Sequence, residues 1–186
     1  MRRYVITESP FEATLLTHLL GALGVEDVHI TSGGRGSSAL SLAKSVASDR
    51  DGPVALLMAT HMANERAAAE RELIWNDLLH TNRALRGPLK LFTAHPEPEI
   101  ILFGAPEALS TLLILPPLND SQILEARYQP AALLDRLLRA SSRFADKDAF
   151  ARQISAEDAA PFAQHPLIQA MAEFLRTATS HAPAHR

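Results

Sequence analysis

The chain contains no cysteine, which excludes disulfides, thiolate metal centres and a cysteine nucleophile. Aromatic residues are only 5% of it, too few to line up successive bases of a single strand on a stacking platform. No apolar run approaches the roughly 20 residues needed to span a bilayer. Met1-Arg2-Arg3-Tyr4 carries basic residues but no apolar stretch of a secretory signal before Glu8. Neither sign of charge dominates: 18 Lys and Arg stand against 21 Asp and Glu, so there is no overall basic field for nucleic acid, although a local patch can exist. Several catalytic signatures are also missing. There is no Gly-x-Ser-x-Gly elbow, and the histidines at 18, 29, 80 and 165 show no His-x-x-x-His spacing. The glycine-rich stretch 33–36 lacks the Lys-Ser/Thr of a P-loop and the spacing of a dinucleotide fingerprint. The expectation is a cytoplasmic protein with no membrane partner.

What is present is a core. Hydrophobic residues make up 47% and charged residues 21% of 186 positions, enough for one α/β domain with helical additions. Tyr4–Thr7 reads as a buried strand. Ser9-Pro10-Phe11-Glu12 then starts a helix, with Ser9 as N-cap, Pro10 at the first helical position and Glu12 closing a capping box. Phe11, Leu15, Leu16, Leu19, Leu20 and Leu23 recur at helical spacing until Gly24. A second strand over 27–31 runs into Ser32-Gly33-Gly34-Arg35-Gly36-Ser37-Ser38 and a helix over 39–47. Val54–Met58 is a strand without polar alternation, as a sheet covered on both faces requires. Asn64 caps a helix to about His80, with Leu73, Ile74, Leu78 and Leu79 expected inward, and 89–93 is a fourth strand. Strands alternating with helices predict a parallel four-stranded sheet flanked by helices. After His95-Pro96 the pattern becomes helical: short apolar pieces over 100–103 and 106–115, then helices at about 120–126, 130–141, 147–154 and 166–178. The expected division is 1–118 for the α/β domain and 119–178 for an all-helical extension packed on it, with 179–186 a disordered tail.

Ligands of an open α/β sheet bind at the carboxyl ends of its strands, where Glu8, the loop 33–36, Ala59-Thr60-His61 and the segment 95–99 should converge. Here Glu8-Ser9-Pro10-Phe11-Glu12 resembles the Glu-Gly-x-x-Glu motif closing the first strand of Toprim domains. These occur in topoisomerases, primases, recombination proteins and the overcoming-lysogenization-defect nucleases. The glycine-rich second loop, the apolar third strand, Pro96-Glu97-Pro98-Glu99-Ile100 and the helical end from Tyr128-Gln129-Pro130 are similar in order to short bacterial Toprim-like proteins. The resemblance implies a Toprim-like fold, and for Glu8 the role of general acid/base or metal ligand. It also implies an Asp-x-Asp magnesium site at the end of the third strand. This chain departs there: the matching positions are Ala59, Thr60 and His61. Magnesium needs oxygen ligands, whereas imidazole suits manganese or zinc better. Ser9 also replaces the family's glycine.

Each residue has a plainer reading beside the functional one. Glu12 serves as a capping-box residue, Glu97 and Glu99 fit first-turn helix positions, and His61 fits an ordinary loop. Glu8, at the end of a buried strand, requires a partner to offset its desolvation. For a phosphate the expected site is Gly33, Gly34, Arg35, Gly36 and Ser37, where loop amides and a guanidinium precede a helix. The leading functional expectation is a degenerate, non-catalytic Toprim-like protein. It would bind a nucleic acid or nucleotide, or act as a partner subunit or homodimer. The alternative is a metal-dependent phosphodiesterase or nuclease with a rearranged manganese- or zinc-preferring site of Glu8, His61 and Glu99, with Glu12 or Glu65 beside them. A small-molecule-binding α/β protein is the third.

Overall fold

The computed structural model describes residues 2–81 and 85–178; the expected disordered tail at 179–186 lies outside the described residues. Strand β1 (Arg3–Thr7) leads into α1 (Pro10–Ala22), β2 (Val28–Ser32) into α2 (Ser37–Asp49), and β3 (Val54–Ala59) into α3 (Glu65–His80) before β4 (Leu89–Ala94). The sheet is parallel throughout, in the order β2-β1-β3-β4. Among the described residues seven helices follow: α4 (Ile100–Phe103), α5 (Pro106–Leu113), α6 (Asp120–Ala126), α7 (Pro130–Ala140), α8 (Lys147–Gln153), α9 (Ala156–Ala163) and α10 (Pro166–Thr177).

Alternation along the strands divides the core into two layers, because successive side chains point to opposite faces. Val5, Ala55, Leu57 and Phe92 join α1 and the C-terminal helices in one cluster. Ile6, Val54, Leu56, Met58 and Leu91 pack with α2 and the inner face of α3 in the other. Every residue of β3 is buried, which is why its sequence shows no alternation. The leucine row of α1 meets Phe150, Phe162, Ile168 and Leu175 of the last helices. Arg3 Nε donates to Leu175 O over 2.8 Å, tying the amino end of the inner strand β1 to α10.

Two expectations need correction. Leu73, Ile74 and Leu78 do not face inward; they are 66%, 59% and 51% exposed. The phase of α3 is fixed instead by Ala68 and Leu79, which are buried, and by two polar anchors. Arg71 donates to Thr60 O, and Glu72 accepts from the Thr93 hydroxyl. With those residues held toward the sheet, the helical repeat turns the three aliphatic residues outward. The second correction is α9, for which the sequence suggested no helix. Pro161 lies within it, yet Ser155 and Asp158 form a reciprocal capping box at its start that stabilises the short helix.

Candidate functional site

The order β2-β1-β3-β4 means that the chain leaves β1 toward one side of the sheet and later returns to pair on its other side. This reversal opens a crevice at the carboxyl end of β1, the usual ligand position in such sheets. Glu8 follows β1 directly and is buried. Its Oε1 accepts from Gly36 N and its Oε2 from Ala59 N, both over 2.7 Å. The carboxylate therefore joins the end of β1 to the start of α2 and the end of β3. Gly36 can turn its amide toward Glu8 because its backbone sits at φ 56°, a conformation open to glycine without steric penalty. Gly33 is held closely too: a Cβ there would come within 2.8 Å of Ala39 Cα, and its N–H donates to Thr7 O. Two amides of the expected phosphate loop thus already have partners within the protein. Among the described residues, the loop donors without a partner in the protein include the amides of Gly34, Arg35 and Ser37 and the Arg35 guanidinium.

Glu12 lies one turn along α1. Ser9 Oγ accepts from Glu12 N, so the expected N-cap forms, but the reciprocal half of the capping box does not: Glu12 Oε2 accepts from Glu8 N over 3.0 Å, one residue before the cap. Burial pushes the Glu12 carboxyl up to about 7; hydrogen bonds from Glu8 N and Ser9 oppose this, and the charges of Glu8 and Glu99 reinforce it. A raised acid makes the folded state hold a proton that the unfolded chain releases near pH 4.5. Stability from this group is therefore greatest at low pH and falls as pH rises from about 4.5 to about 7. Glu12→Gln keeps the acceptor for Glu8 N without the ionisation. Compared with the parent, it is expected to gain stability progressively over that window in urea unfolding at a series of pH values. A constant difference across pH 4.5–7.5 would contradict this.

Around Glu8 and Glu12 opens a cleft of about 250 Å³, lined also by Arg35, His61, Glu97, Glu99 and Lys147. Lys147 enters from α8. Its Nζ lies 2.9 Å from Glu99 Oε1 and 3.4 Å from Asp135 Oδ1, and 5.8 Å from the centre of the Phe11 ring. Burial works against its charge, but the hydrogen bond and charge of Glu99, followed by those of Asp135, outweigh this and raise its pKa. Glu97 Oε2 accepts from Ala131 N, and His61 Nδ1 lies 3.7 Å from Glu97 Oε1. His61 itself has a left-handed backbone at φ 53°.

The structure thus brings Glu8, Arg35, His61 and Glu99 to one cleft, as the sequence suggested. It does not make Glu8, His61 and Glu99 a metal-binding set. Among the described residues no three His, Asp or Glu side chains stand together so as to hold an ion. The reason lies in the partners already present: two backbone amides occupy the Glu8 oxygens, an ammonium neutralises Glu99, and His61 leans to Glu97. A divalent ion of the kind the Toprim resemblance implies does not fit these residues. Lys147 is not among the site residues expected from the sequence. A signal existed, since a lysine at the first position of a helix opposes the helix dipole and calls for a local anionic partner. Glu65, a further ligand in the enzyme alternative, lies instead in a neighbouring cavity.

The structure is similar to that of the C-terminal region of the Burkholderia pseudomallei OLD protein. The TM-score is 0.58 at 20% sequence identity, with 96% of this chain and 98% of that chain covered. The fold is Toprim-like. The four-stranded parallel sheet, the flanking helices and the helical end thus form one recurring architecture. No protein-family model and no curated protein matches the sequence. Among the described residues, no helix is long and apolar enough to cross a membrane.

Proposed function

We propose that this Toprim-like protein is non-catalytic and binds a phosphate-containing ligand, nucleic acid above all, at the carboxyl edge of its sheet. The observation that carries the first half is Lys147: its ammonium lies 2.9 Å from Glu99 inside the cleft. A fixed monovalent cation there balances carboxylate charge but leaves no open coordination positions, so it cannot polarise a phosphodiester as paired metals do. The ending Ala59-Thr60-His61, without carboxylates, supports the same conclusion. For the ligand half, support comes from Arg35 at the mouth of the cleft beside unused loop amides.

Two measurements test this reading. Manganese, zinc or magnesium at millimolar concentration is expected to leave the melting temperature unchanged, and the protein is expected not to cleave plasmid or single-stranded DNA in their presence. Metal-dependent cleavage abolished by Glu8→Gln would instead establish the enzyme. For the ligand, Arg35→Ala is expected to weaken binding of inorganic pyrophosphate at low salt by about three- to tenfold, the range for one exposed charged contact. Equal binding by parent and variant would remove Arg35 from the site.

A further inference from the structure

A second cavity lies at the same carboxyl end of the sheet, beyond β3 and β4. It measures about 710 Å³ and is bounded by the start of α3, the turn after β4 and the end of α6. Its lining has a different character from that of the first cleft. Arg66, Arg127 and His95 face it with Tyr128, and Glu65 is the one carboxylate. Arg127 has no carboxylate within ion-pair distance among the described residues. Arg66 engages only its Nε, with Glu70 at 3.3 Å. His95 is held through Nδ1, 3.1 Å from the Thr60 hydroxyl, which leaves its Nε2 edge for the cavity. Tyr128 is half exposed.

We infer that this cavity is a binding site for one nucleotide unit of single-stranded nucleic acid. Arg66 and Arg127 would hold the phosphodiester, and the Tyr128 ring would stack on its base. The inference rests on the reading that the protein binds a phosphate-containing ligand, and it moves the main contact from the glycine-rich loop to this neighbouring cavity. Three features select the ligand. Two guanidiniums not neutralised by buried carboxylates suit an anion, and their planar forks match phosphate geometry. The volume lies within the range of small-molecule sites, about 300–1,000 Å³, and is larger than a lone phosphate requires. A single accessible aromatic ring offers a stacking surface that a base can reach only when it is unpaired, so a single strand fits and a duplex does not. One tyrosine stacks one base, which agrees with the scarcity of aromatics in the chain.

The test is fluorescence anisotropy with a labelled ten-nucleotide oligothymidylate at about 50 mM salt, using the full chain. Arg127→Ala and Arg66→Ala are each expected to weaken binding about five- to tenfold. Each should also lower the slope of log affinity against log salt by about 0.7, the value for one phosphate contact on a single strand. Tyr128→Ala should weaken binding about tenfold without changing that slope, since stacking releases no counterion. These side chains are exposed, and circular dichroism will verify that the variants fold. Loss of binding in Arg35→Ala with none in Arg127→Ala would overturn the inference and leave the loop as the phosphate site. Absence of oligonucleotide binding together with retained, Arg35-dependent pyrophosphate binding would overturn it too. So would a duplex of the same length that binds as tightly and is indifferent to Tyr128→Ala.

Discussion

Glu8→Ala is expected to lower the free energy of unfolding by about 3–4 kcal/mol, since it leaves two inward-facing amide donors, on Gly36 and Ala59, without their charged acceptor. In a chain of this size that corresponds to a fall of about 10 °C in melting temperature. The effect would be structural, because Glu8 links β1, β3 and the start of α2 in a way that no neighbouring side chain duplicates. Glu8→Gln separates the contributions. The amide keeps one carbonyl oxygen for one donor, and its NH₂ group opposes the other, so a loss of roughly 1–2 kcal/mol is expected. Urea unfolding at pH 7 measures both variants. A loss below about 1 kcal/mol in Glu8→Ala would show that water satisfies the freed amides, and that Glu8 is not a structural tie.

Phe150→Ala is the second large effect, with an expected loss of about 3–5 kcal/mol. Phe150 is fully buried, meets Phe144 edge-on with ring centres 5.2 Å apart, and belongs to the same cluster as the leucines of α1. Its removal should also loosen α8 and with it the Lys147–Glu99 pair one turn away. Because α1 and the last helices share that cluster, the parent should unfold in a single transition by both far-ultraviolet circular dichroism and Trp75 fluorescence. Two separated transitions would mean that the helical end is stable apart from the sheet.

Much of this architecture could be read from local rules. Ser9 and Glu12 announced the start of α1, Asn64 the start of α3, and the unbroken apolar run of β3 its place inside a sheet covered on both faces. The errors share a physical cause. The outward turn of Leu73, Ile74 and Leu78 depends on Arg71 and Glu72 finding Thr60 and Thr93, contacts that exist only once the sheet has formed. The sequence shows that Glu8 needs a partner, but its partners are backbone amides 28 and 51 positions away, which carry no side-chain signature. Lys147 reaches Glu99 across 48 positions, so the cation that changes the character of the cleft was invisible from the motif around Glu8. The cavity between α3 and α6 likewise assembles Arg66 and Arg127 from segments that show no shared pattern in sequence.

The bond from Arg3 to Leu175 spans 172 positions, and its consequence concerns the order of events during synthesis. Strand β1 and helix α1 emerge from the ribosome before α8, α9 and α10, which supply the outer part of the surface that covers the leucine row of α1. Until those helices have been translated, the row is covered only on the side that packs against the sheet, and the nascent chain presents the rest of that apolar surface to solvent and to other chains. Translation pauses or chaperone depletion that prolong this interval should therefore reduce the soluble yield more than an equal delay after α10 is complete.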